Sequence, residues 1–299
     1  MANFRSIAAL TLALAALGRP VAAADDAIEM LVGRNLPNVR WENGKLTGYW
    51  VELSRLAAQK ANVPIHGFQN LPYQRSLEEV AGGSRQCHPF VARTPQRESS
   101  YRWIAPTRRI VTTVFVTADL PKPPTTAEQL KRHEIAVQRG TLGDQALEAL
   151  GIPATRITDT NRLAILLGHG RVSVFVAEYA SGLAAAEEAA VSVKEAMPLA
   201  ETMGYFVCSP SIDAAVADRL AIAIDGIFAD GLDRPLAAAD GIERAELRPG
   251  TSGAVRGERT THAISLDFTV RTGQRLARWI GRIKASYWRR GGMARVMPS

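Results

Sequence analysis

The feature that most constrains this chain is an alternation of apolar strand-like runs with helical patterns, repeated in two successive units. In the first unit, Ile28 to Gly33 predicts a strand, and Gly48 opens a helical pattern in which Val51, Leu53, Leu56 and Ala57 are apolar. Val63 to Phe68 predicts a second strand, Ser76 to Val80 a helix ended by Gly82-Gly83, and Cys87 to Ala92 a third strand. A β-branched run from Ile110 to Thr117 follows, and then a breaker, Asp119 to Pro124, that contains three prolines. In the second unit, Thr126 caps a short helix through Leu130, Ile135 to Val137 is a strand, and Gly143 to Leu150 and Asn161 to Leu167 are helices. Val172 to Ala177 reads as a buried strand, Ala180 to Ala190 as a helix, Gly204 to Cys208 as a returning strand, and Ser211 to Gly231 as a long amphipathic helix. Such alternation predicts an α/β fold. With strands passing between the units near residues 117 and 205, it predicts two lobes around a cleft. The first lobe comprises residues 25–117 and 205–245, and the second residues 118–204.

The first 24 residues have the form of a signal peptide. Arg5 supplies a weakly positive start, Ile7 to Leu17 an apolar core, and Val21-Ala22-Ala23-Ala24 small residues for cleavage near Ala23 or Ala24. That core is too short to span a bilayer. The expectation is an exported, soluble, periplasmic protein. The formal net charge of +7 would point to nucleic acid or membrane if it were spread evenly, but it is not. Residues 246–299 carry eleven Lys and Arg against three acids, whereas residues 1–245 carry twenty-five basic and twenty-six acidic groups. The basicity belongs to the tail, and nucleic acid is a poor partner for an exported chain. The five histidines are scattered, and no His, Cys, Asp and Glu grouping has metal-ligand spacing, so no metal and no cofactor is expected.

The segment Arg85 to Pro106 carries the chemistry. Its apolar run ends in Arg93-Thr94-Pro95-Gln96-Arg97. Thr94 is a natural helix N-cap and Pro95 a natural first helical residue. Arg97 then falls in the first turn, where a guanidinium fork is suited to gripping a carboxylate in a bidentate way. The same residues would also serve as an ordinary capped turn with an arginine in water.

Four segments, in order, carry a family resemblance. They are Asn43-Gly44-Lys45-Leu46-Thr47-Gly48-Tyr49-Trp50-Val51-Glu52-Leu53, Leu71-Pro72-Tyr73-Gln74-Arg75-Ser76-Leu77, Arg93 to Pro106, and Val137-Gln138-Arg139-Gly140-Thr141. On these the chain resembles the type 2 periplasmic solute-binding proteins, family 3, which includes the polar amino-acid receptors of ABC importers. The resemblance covers roughly residues 28–240. It implies two α/β lobes joined by two crossover strands, closing on a ligand between them.

Residue by residue, the resemblance implies that Thr94 and Arg97 bind the ligand α-carboxylate. Thr141 would offer a hydroxyl and backbone N–H groups from the second lobe, at the kind of helix N-terminus that favours anions. Glu178 stands where such receptors place an aspartate against the ligand ammonium. Tyr73 matches a cleft-lining position, and Arg75 is either a second anion contact or a structural salt-bridge partner. The pattern is broken at Ala92, where Ser or Thr is usual, and at Ser84-Arg85-Gln86-Cys87, which replaces a Gly-x-x-Asp entry. These departures point away from a standard amino-acid ligand. The fold implies that the strands of Cys87 and Cys208 are antiparallel neighbours, so a disulfide between them is an expectation, with two free thiols as the alternative.

In the tail, Leu276, Trp279, Ile280, Ile283 and Tyr287 form one apolar stripe at i, i+3, i+4, i+7 and i+11, amid Arg275, Arg278, Arg282, Lys284, Arg289 and Arg290. Such a helix suits an anionic membrane surface, docks on the body, or is unstructured. The expected function is capture of a small carboxylate-bearing solute for an ABC importer permease. The alternatives are a cyclohexadienyl dehydratase-like enzyme using Glu178 as proton donor, and a ligand-sensing receptor.

Overall fold

The structure is a computed structural model that describes residues 26–33 and 37–240. The expected signal peptide and the basic tail therefore lie outside the described residues. The first unit begins with strand β1 (Ile28–Val32), the hairpin strands β2 (Arg40–Glu42) and β3 (Lys45–Thr47), and helix α1 (Tyr49–Ala61). Asn43 and Gly44 close the hairpin with φ values of 50° and 73°, the left-handed pair that a two-residue turn requires. Strand β4 (Ile65–Asn70), helix α2 (Tyr73–Gly82) and strand β5 (Gln86–Ala92) follow, then a short 3-10 helix over Pro95–Ser100 and strand β6 (Arg102–Thr117). The second unit holds α3 (Ala127–Leu130), β7 (Ile135–Gln138), α4 (Leu142–Ala149), β8 (Thr155–Ile157), α5 (Asn161–Gly168), β9 (Val174–Glu178) and α6 (Tyr179–Glu188). Strand β10 (Val193–Cys208) returns, and α7 (Ala214–Ala229) and α8 (Asp233–Ala239) pack on the first unit.

The main sheet has the order β4-β1-β5-β10-β6-β9-β7-β8. On one side β1 runs parallel to β4 and β5, and on the other β7 runs parallel to β8 and β9. Between them, β6 and β10 pair antiparallel along their lengths, from Cys208↔Arg102 to Val193↔Thr117. The lower part of β10 also pairs with β5, and the upper part of β6 with β9. These two 16-residue strands are thus the crossovers that make two lobes of one sheet.

The change of lobe falls within the strands. Thr112 to Phe115, grouped with the first lobe on sequence, pair with Glu178 to Phe175 of the second. Phe115 stacks on Phe175 there, with ring centroids 4.9 Å apart. The apolar pattern predicts no strand over residues 193–203, where Pro198 and the polar Lys194, Glu195 and Glu201 break it. They extend because β6 offers a partner along the whole length, and register shifts at Glu195/Met197 and Pro198/Ala200 absorb the proline.

Each lobe has its own apolar packing. In the first, α7 lays Val216, Leu220, Ile224 and Ile227 into a core with Leu53 and Ala57 of α1 and Met30 of β1. Asp213 starts that helix, its carboxylate accepting from the Ala215 and Val216 N–H groups at 2.8 and 3.1 Å. In the second, Val114, Val137 and Val176 fill one face of the sheet, and Phe115, Leu163 and Phe175 the other. Cys87 and Cys208 are register partners on β5 and β10, and a disulfide joins them. Among the described residues no helix is long and apolar enough to cross a membrane, and no His, Cys, Asp and Glu cluster could hold a metal ion.

Candidate ligand cleft

The first wall of the cleft forms where β5 ends. Thr94 has extended backbone and no side-chain capping bond, so the expected helix cap is instead a 3-10 turn. Its buried hydroxyl has no hydrogen-bond partner among the described residues. Because the turn is tight, Arg97 N–H bonds back to the Thr94 carbonyl at 3.0 Å, and the Arg97 side chain folds inward to 6% exposure. Its guanidinium donates to the Ala92 carbonyl at 3.2 Å and, across the cleft, to the Gly140 carbonyl. The Tyr73 hydroxyl is held against the same guanidinium, and burial raises its pKa despite that charge. Among the described residues, no carboxylate pairs with Arg97.

The second wall is the turn after β7. Gly140 has φ of +76°, a left-handed conformation that favours glycine, and a Cβ there would meet the Gln74 side-chain oxygen at 1.9 Å, which would have to swing aside. Thr141 caps α4: its hydroxyl accepts from Asp144 N–H at 3.3 Å and donates to the Gln138 carbonyl at 2.8 Å. Asp144 in turn accepts from Gly140 N–H at 3.0 Å and from Arg156 at 2.6 Å. Thr141 therefore shapes the turn, with its hydroxyl committed inside its own lobe.

Between the walls lies a cavity of about 30 Å³, lined chiefly by Trp50, Tyr73, His88 and Phe90 of the first lobe and Gln138 of the second. That is room for about two water molecules. The Phe90 N–H donates to His88 Nδ1 at 3.1 Å. The proton of the neutral ring therefore sits on Nε2, a buried donor without a partner among the described residues. Burial, and secondarily the charge of Arg97, push the His88 pKa down to about 3, so the ring is neutral at ordinary pH. Trp50 Nε1 is a second buried donor without a partner there.

Glu178 ends β9 and caps α6. One carboxylate oxygen accepts from the Ser181 N–H at 3.1 Å and also from the Ser181 hydroxyl. The other accepts from Arg108 of β6 at 3.2 Å. Arg108 is fully buried, donates also to Asn38 Oδ1 at 3.1 Å, and has its guanidinium carbon 5.0 Å from the ring centroids of both Trp50 and Phe90. Those two rings stack on one another with centroids 4.3 Å apart.

No protein-family model and no curated protein sequence matches the chain. Solved structures do. A histidine kinase sensor domain with similarity to periplasmic binding proteins superposes with a TM-score of 0.67 at 18% identity, covering 75% of this chain and 100% of that one. An arginine-binding protein from T. maritima, in a mutant form, gives a TM-score of 0.65 at 18% identity over 73% of this chain and 96% of its own. The substrate-binding protein of an amino-acid ABC transporter gives 0.62 at 19% identity over 72% and 98%. The fold is that of the periplasmic binding proteins.

Within this periplasmic-binding-protein fold, the structure brings Tyr73, Thr94, Arg97 and the Gly140–Thr141 turn to one end of the cleft. It sets Glu178 apart, engaged by Arg108 and Ser181. Of the two readings of Arg75, the structure shows the salt bridge: its side chain is 64% exposed on α2 and pairs with Glu79 one turn on, at 3.3 Å. Sequence reasoning missed His88 and Trp50 as lining of the cavity, and Arg108 with its partner Asn38 as the buried group that engages Glu178. Arg108 adjoins Arg109 in β6, and an arginine pair there reads as a solvated edge. The usable signal was strand alternation, which sends the two side chains to opposite faces.

Proposed function

We propose that this chain is an exported binding protein that captures a small carboxylate-bearing solute by lobe closure and delivers it to a membrane importer. The observation that carries this reading is Arg97. A buried guanidinium whose partners are backbone carbonyls and a tyrosine hydroxyl lacks a counter-charge, and a buried charge without one is costly. A ligand carboxylate supplies it. Because the cavity holds about two waters as it stands, a solute enters when the lobes part and displaces the Arg97–Gly140 contact. The periplasmic-binding-protein neighbours support solute binding as the general role. The test is a thermal-shift panel of organic acids and amino acids on wild type and Arg97→Ala. A ligand at 100 times its Kd stabilises the wild type by about 2.7 kcal/mol, and Arg97→Ala abolishes the shift. Equal shifts in both proteins overturn the assignment.

A ligand-sensing role would use the same pocket, and the likeness to the histidine kinase sensor domain favours it as the second reading. The dehydratase alternative needs Glu178 as a proton donor to substrate. Both of its oxygens are already engaged within the protein, which counts against it.

A further inference from the structure

We infer that the small cavity is a carbonyl subsite, in which Trp50 and His88 bind an uncharged carbonyl oxygen of the solute. The solute class is then an oxo acid, with a ketone-type carbonyl as well as a carboxylate. The inference rests on the carboxylate-capture reading above and narrows it. Trp50 and His88 line the cavity, are only 2% and 4% exposed, and each keeps a buried nitrogen without a hydrogen-bond partner among the described residues. Both nitrogens are donors, because an indole nitrogen can only donate and His88 Nδ1 already accepts from the Phe90 N–H at 3.1 Å. A buried N–H left without an acceptor is costly. Two such groups in the lining of one cavity call for acceptor oxygen inside it.

The rest of the lining selects the kind of oxygen. The side chains of Val32, Val39, Pro89 and Phe90 are apolar. The Gln138 amide is engaged at both ends, its oxygen accepting from the Thr160 hydroxyl at 2.6 Å and its nitrogen donating to the Thr158 carbonyl at 3.1 Å. A hydroxyl, an amide or an ammonium placed there brings O–H or N–H groups of its own, for which these side chains hold no uncommitted acceptor. A second carboxylate brings a full charge to a neutral lining, where nothing offsets its lost hydration. A carbonyl brings acceptor lone pairs and no charge. Its two non-hydrogen atoms also suit a cavity of about 30 Å³, room for about two waters. Tyr73 joins this cavity to the carboxylate end, since it belongs to the lining while its hydroxyl meets Arg97.

The experiment compares binding by the full chain to acids that differ at one carbon: 4-oxopentanoate, 4-hydroxypentanoate and pentanoate, then 5-oxohexanoate, 5-hydroxyhexanoate and hexanoate. In at least one series the oxo acid is expected to bind at least about tenfold more tightly than both others, the scale of one or two hydrogen bonds. Trp50→Phe removes one donor and keeps a ring to stack on Phe90. His88→Asn removes the other and keeps an acceptor for the Phe90 N–H. Each should erase most of the oxo preference, whereas His88→Gln, with an N–H near the Nε2 position, should retain it. Oxo acids that bind no better than the hydroxy acids, or a preference that survives both donor-removing variants, overturn the inference and leave a cavity for water only. If neither series binds, 2-butanone decides, because it carries the carbonyl without a carboxylate. A shift of the Trp50 indole N–H resonance, identified by its absence from Trp50→Phe, then leaves the subsite standing while carboxylate capture falls. No shift overturns both.

Discussion

Two buried guanidiniums define two regions of this molecule, and they are satisfied in different ways. At the lobe crossover, Arg108 is enclosed by side chains: a carboxylate, an amide and aromatic faces. After β5, Arg97 is met by two backbone carbonyls and the Tyr73 hydroxyl. The shell of Arg108 contains a carboxylate, whereas among the described residues that of Arg97 contains none. A buried charge therefore does not mark a binding site by itself. A missing counter-charge is what the proposal for Arg97 rests on.

The comparison can be broken most directly at Arg108. Replacing it with Met removes one partner of a buried pair and is expected to cost about 3–5 kcal/mol in denaturant unfolding. A loss below about 1 kcal/mol would mean that the crossover shell is not structural. At Arg97 the order of effects should reverse. Arg97→Met should cost the ligand-free protein only about 1–2 kcal/mol, the scale of its hydrogen bonds. It should, however, eliminate the roughly 2.7 kcal/mol that saturating ligand adds, which paired melts with and without ligand would read.

His88 sharpens the comparison through pH. Its native pKa lies near 3 and its unfolded value near 6.5, so between these the unfolded chain holds a proton that the native protein refuses. Its contribution is fully present above pH 6.5 and falls away as pH drops toward 3, with a slope of at most about 1.4 kcal/mol per pH unit. His88→Gln should flatten that part of the stability profile. The smallest effect belongs to Arg75, whose exposed pairing with Glu79 predicts a change below about 0.5 kcal/mol for Arg75→Ala. A loss of ligand binding in that variant would return Arg75 to the cleft.

Strand and helix alternation carried the α/β architecture into the sequence in readable form, because apolar periodicity is local. The same local logic identified Thr126, which caps α3 by accepting from Gln129 N–H at 3.3 Å. It failed where partners are distant. Residues 193–203 extend only because β6 lies beside them, and nothing in Pro198 or Glu201 announces that neighbour. The site divides in the same way. Arg97 was legible from Thr94-Pro95 and the turn that they start. The engagement of Glu178 by Arg108 was not, since 70 residues separate the two and burial alone decides which charges meet. Thr94 shows the limit of a motif: its residue type suits a cap, yet a 3-10 turn leaves its hydroxyl unused.

The Cys87–Cys208 bridge has a topological consequence. The sequence separation between the two sulfurs is 121 residues, and strands β7, β8 and β9 all lie inside the covalent ring thus closed. In the loop after β6, Asp119, Pro121 and Lys122 are exposed, a natural place for a protease to cut. A single cut there opens the ring but does not divide the molecule. The nicked protein should run as one species on a denaturing gel and separate into two fragments only when a thiol reductant is added.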